Sequence, residues 1–311
     1  MNLRSLIADS DTVWRLPAAD ARRGYRALCW SAGPAGQLAV LLVHRRYLER
    51  IPYIKGWPGW MPKVPFAGEL VIVAGQEERR IPVEDVRFWP SYLALLPDSR
   101  FLLVSGRTNR NEAEGYWAPN AMVLDPSGTP ESEFCVGDDI SALATDTDGG
   151  IWTAYGDEGI YGGHPESRTG LAGWDSQGRN SWIPRGRLPD RPLQGSTAAT
   201  ENGQVWLVWD SGRGGTFLTR ITPSTGDVVS HPSPVRNPDG FAVSGSRAVL
   251  TRRDHNKRSV ELTRAEFDGV TWAVTSRREL RVPGRVVMGC GEGRDGSLWL
   301  RAGDAWLRIE A

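Results

Sequence analysis

Short apolar runs in this chain alternate with polar positions and are cut by clusters of Gly, Pro, Asp, Asn and Ser. A period of two predicts strands, and the clusters predict tight turns between them. Residues 140–162 (ISALATDTDGGIWTAYGDEGIYG) carry the pattern most plainly. Small apolar residues at 141–145 predict one strand, 146–150 a turn, and the β-branched and aromatic run 151–155 a second strand.

This strand, turn, strand unit recurs. With one marker in each second strand, six copies fall at Ala39, Leu102, Trp152, Trp206, Val249 and Trp299. The gaps are about 63, 50, 54, 43 and 50 residues, the range of propeller blades that carry loop insertions, and the path from the last marker through the C-terminus to the first is about 51. Further runs supply third and fourth strands, such as GELVIVA and RRIPV in the first copy and GLAGWD and RNSWI in the third. The sixth copy, read as 286–292 (VVMGCGE), a GRDG turn, SLWLR and AWLRIE, has only three strands before the chain ends. Residues 12–16 (TVWRL) precede the first complete copy and can supply the fourth, which would cover otherwise unpaired edges. The expected fold is an all-β, six-bladed β-propeller closed by an N-terminal strand in the last blade, one domain over 1–311.

Three copies share a turn-and-Trp signature, in TDTDGGIWTAY, TENGQVWLVW and EGRDGSLWLR. It resembles the repeats of bacterial sensor-type β-propellers, written loosely as Asp-x-x-Gly-x-Ile/Leu-Trp. The stretch YGDEGIYG followed by GLAGWD also resembles uncharacterised bacterial propeller-like proteins. The resemblance implies the fold and transfers no catalytic residue.

Composition agrees with many short strands: 14 Trp, 36 Gly and 21 Pro stand against 4 Met. Lys plus Arg and Asp plus Glu are equal at 37 each, so no bulk field favours nucleic acid or an anionic membrane. The N-terminus has no apolar core of signal-peptide length and no segment reaches a membrane span, which leads us to expect a cytoplasmic monomer. Cys29, Cys135 and Cys290 are odd in number, far apart and outside any CxxC, so free thiols that pack as small hydrophobes are expected.

Strand direction alternates within each copy, so every loop between second and third strands leaves on one face. The long segments 44–67, 106–119 and 156–169 all occupy that position, which makes their face the expected binding face. The first carries Tyr53, Trp57 and Trp60 among prolines and glycines, either as a lid or as a loop packed back on the sheets. The second carries Arg107, Tyr116 and Trp117; the third carries Asp157, Glu158 and His164. Asp157 and Glu158 could supply an acid or base, or simply cap a turn and pair with an Arg.

Other chemistries find little support. The histidines His44, His164, His231 and His255 lie in different copies, and no Gly-x-Ser-x-Gly elbow occurs. The innermost strands, read as ALCWS, YLALL, SALAT, TAAT, GFAV and VVMGCG, offer almost no oxygen donors beyond hydroxyls, so neither a metal nor a cofactor is expected and the axis should be small and apolar. Two functions remain. One is a scaffold that binds a protein or small molecule through Tyr53, Trp57, Trp60, Arg107, Tyr116, Trp117, Asp157 and Glu158. The alternative is a hydrolase or lyase with Asp157 or Glu158 as acid or base, assisted by His164 or Arg107.

Overall fold

The structure is a computed structural model and describes residues 10–50, 60–254, 257–287 and 289–311. It is all-β. Strand β1 (Asp11–Arg15) and a short helix α1 (Ala18–Arg23) come first. The first unit then holds β2 (Tyr25–Ala32) and β3 (Leu38–His44), a two-stranded ribbon of β4 (Leu48–Arg50) and β5 (Trp60–Pro62), and β6 (Phe66–Ala74) and β7 (Glu77–Val86). The second repeats this plan with β8 (Tyr92–Leu95) and β9 (Phe101–Val104), a ribbon of β10 (Arg110–Asn111) and β11 (Tyr116–Trp117), then β12 (Ala121–Leu124) and β13 (Pro130–Phe134).

The third unit contains β14 (Ile140–Thr145), β15 (Ile151–Tyr155), a one-turn helix α2 (Asp157–Tyr161), β16 (Leu171–Trp174) and β17 (Asn180–Trp182). Next come β18 (Gln194–Glu201), β19 (Gln204–Asp210), β20 (Thr216–Thr222) and β21 (Asp227–Pro232). The fifth unit has β22 (Gly240–Ser244), β23 (Arg247–Arg253), β24 (Ser259–Phe267) and β25 (Trp272–Arg281). The chain ends with β26 (Gly291–Arg294), β27 (Ser297–Ala302) and β28 (Ala305–Glu310). Strand β1 pairs antiparallel with β28, from Asp11 opposite Arg308 to Arg15 opposite Ala305.

In the third unit the turn-and-Trp signature has a local cause. Asp146 Oδ1 accepts from the Asp148 and Gly150 amides at 3.0 and 2.7 Å, and its Oδ2 accepts from Trp152 Nε1 at 2.7 Å. One carboxylate therefore closes the turn and orients the Trp of the next strand. Gly149 has φ 83°, a conformation that a residue with a Cβ disfavours.

The core lies in the seams between neighbouring units. Leu41, Leu70 and Ile81 of the first meet Leu93, Leu95 and Met122 of the second. Val104 and Val123 likewise meet Leu143 and Tyr155, and Trp152 and Leu171 meet Leu207 and Trp209. The seam between the chain's ends buries Trp14, Trp299 and Trp306 against Trp30, Val40 and Val71. Each sheet thus hides both faces against its neighbours, which is why residues 38–43 of β3 and all of β9 are apolar rather than alternating.

The axis differs from the expected small, apolar channel. The innermost strand of the last unit is Gly291–Arg294, with a two-residue Asp295-Gly296 turn that sets Arg294 opposite Ser297. That register puts GEGR, rather than VVMGCG, at the axis. Gly291 and Gly293 face neighbouring backbone: a Cβ on Gly293 would lie 2.2 Å from Phe241 O and 2.5 Å from Ala199 Cβ. The bare face lets β26 pair in parallel with β18, at Ala199–Gly293 and Thr200–Arg294. Buried Arg294 donates from Nη1 to Thr145 O at 3.0 Å, while Glu292 accepts from Ser31 Oγ at 3.0 Å and the Ala32 amide at 3.2 Å. Burial pushes the Glu292 carboxyl up to about 7, against the opposing pull of Arg294, Ser31 and Ala32. Ser31, Thr145 and Thr200 lie near the C-terminal ends of their strands, so this charged plug sits towards the tight hairpins, opposite the long loops.

Candidate functional site

On the loop face, the second and third units meet around a buried carboxylate. Asp138 lies just before β14, where backbone donors are free of sheet pairing. Its Oδ1 accepts from Arg107 Nε and from the Thr108 amide, each at 3.0 Å, and its own amide donates to Ser167 Oγ at 2.8 Å. Arg107 also pairs with Glu158 on α2. Burial disfavours charge on Arg107, but hydrogen bonds and proximity to Asp138 and Glu158 prevail, so its guanidinium is held above the ordinary value.

Above this clasp opens a cleft of about 350 Å³. Arg107, Asn109, Arg110, Glu112 and Trp117 line one side, and Asp138, Glu158, Gly162 and Gly163 the other. Trp117 is half-buried and packs on His164, ring centroids 4.8 Å apart, whereas Tyr116 remains 49% exposed. Asp157 is exposed and accepts from the amide of its neighbour Glu158 at 3.0 Å.

The residues expected on this face are therefore only partly brought together. Arg107, Trp117 and Glu158 share the cleft; Tyr116 borders it on the β10–β11 ribbon; Asp157 points elsewhere. Trp60 packs half-buried against the core of the first two units. Tyr53 and Trp57 lie outside the described residues.

A second group beneath the cleft has no counterpart in the expected set except His164. Cys135 Sγ lies 3.5 Å from His164 Nε2, and His164 Nδ1 is 3.3 Å from Glu166 Oε2. Buried Asn120 fixes the segment that carries the thiol, accepting from the Val136 amide at 3.0 Å and donating to Gly137 O at 2.8 Å. The Tyr155 hydroxyl adds a bond to Val136 O at 2.9 Å. Burial raises the Cys135 thiol above its ordinary value, opposed by hydrogen bonds from the Gly137 amide and Thr108. Burial also lowers His164, against Glu166 and Asp138, so its imidazole is neutral at physiological pH. Asp139 is raised, again by burial, with the Gly159 amide and Arg107 opposing. The odd Cys count and the lone His in the third loop were the only sequence signals for this group.

All three thiols are unpaired, and Cys29 and Cys290 are buried. Among the described residues no group of three or more His, Cys, Asp or Glu is placed to hold a metal ion, and no helix is long and apolar enough to cross a membrane.

No family model matches the chain. No curated protein matches it either. Solved structures do. A chain of hydrazine synthase from Kuenenia stuttgartiensis aligns with a TM-score of 0.52 at 12% identity, over 93% of this chain and 96% of that one. The β-propeller domain of Cps50 (Swd1) from Myceliophteria thermophila aligns with a TM-score of 0.50 at 10% identity, over 92% and 84%. At such identities the likeness is one of fold alone, and the fold is that of the β-propellers.

Proposed function

We propose that this chain is a cytoplasmic, six-bladed β-propeller closed by its N-terminal strand, and that it serves as a scaffold binding a protein or small ligand through its long-loop face. The pairing of β1 with β28 and the Trp14–Trp306 seam support the closure. The eight-stranded sheet does not count against six blades, because two paired positions between β18 and β26 join what are otherwise two four-stranded sheets.

The observation that carries the binding reading is the cleft of about 350 Å³, where an aromatic, two arginines and three carboxylates from two units converge on a braced frame. Arg107 is neutralised by its acids, while Arg110 and Tyr116 stay exposed beside the cleft, and Arg and Tyr are among the residue types that most often anchor a partner.

The test is capture from the native cell, comparing wild type with Arg110→Glu, Tyr116→Ala, and with Gln76→Arg in an exposed turn on the opposite face. The first variant should lose partners or co-purifying ligand that wild type and the Gln76 variant keep. If the same set returns with all three proteins, this face is not the interaction surface.

A further inference from the structure

We propose that Cys135, His164 and Glu166 form a thiol acyl-transfer site, with Cys135 as nucleophile, His164 as general base and Glu166 as the positioning residue. It takes a small acyl group from an activated carboxylic ester. The proposal goes beyond the binding reading and does not rest on it.

The three side chains stand in the order such chemistry requires. Sγ lies 3.5 Å from Nε2; in the neutral tautomer that carries its proton on Nδ1, which this chemistry requires, the thiol donates to Nε2, and the carboxylate nearest Nδ1 is 3.3 Å away. Nδ1 is buried and has no aligned hydrogen bond at rest. Positive charge gained by the imidazole during attack would draw it and Glu166 into line. His164 is clamped between Trp117 and Trp174, at 4.8 and 6.3 Å between ring centroids, so its plane is set by packing. Asn120 and Tyr155 fix the backbone on the C-terminal side of Cys135. Among the described residues Cys29 and Cys290 have no comparable base, and they are 3% and 0% exposed, whereas Cys135 retains partial access.

Sγ–H passes its proton to His164 Nε2 while Sγ forms a bond to the carbonyl carbon. The tetrahedral adduct collapses, the carbon–oxygen bond to the alcohol breaks, and the leaving oxygen takes the proton from Nε2. Water, deprotonated by the same nitrogen, then cleaves the Cys135 thioester to release the acid and restore the thiol.

The test uses the full chain with 4-nitrophenyl acetate, a neutral probe that offers no charge to the arginines of the cleft. We expect nitrophenolate release and an adduct of about 42 Da, one acetyl group, on Cys135, formed on the order of 100-fold faster than on N-acetylcysteine at the same pH because of the base. His164→Gln should remove that acceleration, and Glu166→Gln should weaken it with recovery in Glu166→Asp. A wild-type rate no greater than that of N-acetylcysteine overturns the proposal, as does an unchanged rate in folded His164→Gln. If His164→Gln does not fold, equal rates in wild type and Glu166→Gln overturn it instead.

Discussion

Asp138 binds Arg107 Nε and the Thr108 amide through the same oxygen, so one buried carboxylate joins the loop of the second unit to the first strand of the third. Removing it by Asp138→Ala leaves the Thr108 amide buried without an acceptor. We expect a loss of ~2–4 kcal/mol in urea unfolding. Glu158→Ala, which breaks only the exposed arm of the same cluster, should stay within ~0.5 kcal/mol. Equal effects of the two changes would contradict the clasp.

Trp14 joins the N-terminal strand to the first and last sheets. Its indole packs 5.1 Å from that of Trp306, and its Nε1 donates to Glu78 Oε2 at 3.0 Å. Trp14→Ala should lower stability by ~2–4 kcal/mol, measured by thermal or chemical unfolding. A change under ~0.5 kcal/mol would mean that β1 is an accessory rather than a closing strand.

Gly293 permits the close approach of β26 to its neighbours. A methyl group there meets Phe241 O and Ala199 Cβ at 2.2 and 2.5 Å, and backbone cannot swing aside as a flexible side chain can. Gly293→Ala should therefore cost about 3 kcal/mol, with the loss visible in the unfolding midpoint.

Glu292 predicts a pH dependence. Its carboxyl is pushed up to about 7 from an ordinary 4.5, so between those values the native state holds a proton that the unfolded state has released. Stability conferred by the protonated form is complete below 4.5 and falls as pH rises towards 7. Glu292→Gln keeps an acceptor for Ser31 and Ala32 but cannot ionise. Relative to wild type it should gain ~1–3 kcal/mol between pH 4.5 and pH 8, towards the lower end because the side chain keeps some exposure at the axis. A difference that stays constant over this window would sink the assignment.

Much of the architecture was legible because its causes are local. The Asp146 carboxylate reaches two turn amides and the Trp152 indole within six residues. Alternation, turn residues and repeat spacing consequently suffice to place most strands and the long loops, the innermost strand of the last unit excepted. They also place Arg107, Trp117 and Glu158 on one face, since strand direction alone decides where those loops emerge.

What tertiary structure decided lies across the seams. Ser31 and Glu292 are 261 residues apart, and their bond depends on how the first and last sheets meet at the axis. The last hairpin could be registered in two ways from its sequence, and only contact of Gly291 and Gly293 with neighbouring backbone selects the one that sends Glu292 and Arg294 inward. Cys135 and His164, 29 residues apart, meet for a similar reason: a loop of the third unit folds back over the edge of the second. A strand period specifies which face of a sheet a residue occupies, but not which residue of a neighbouring sheet it will face, because that depends on the packing of the whole ring.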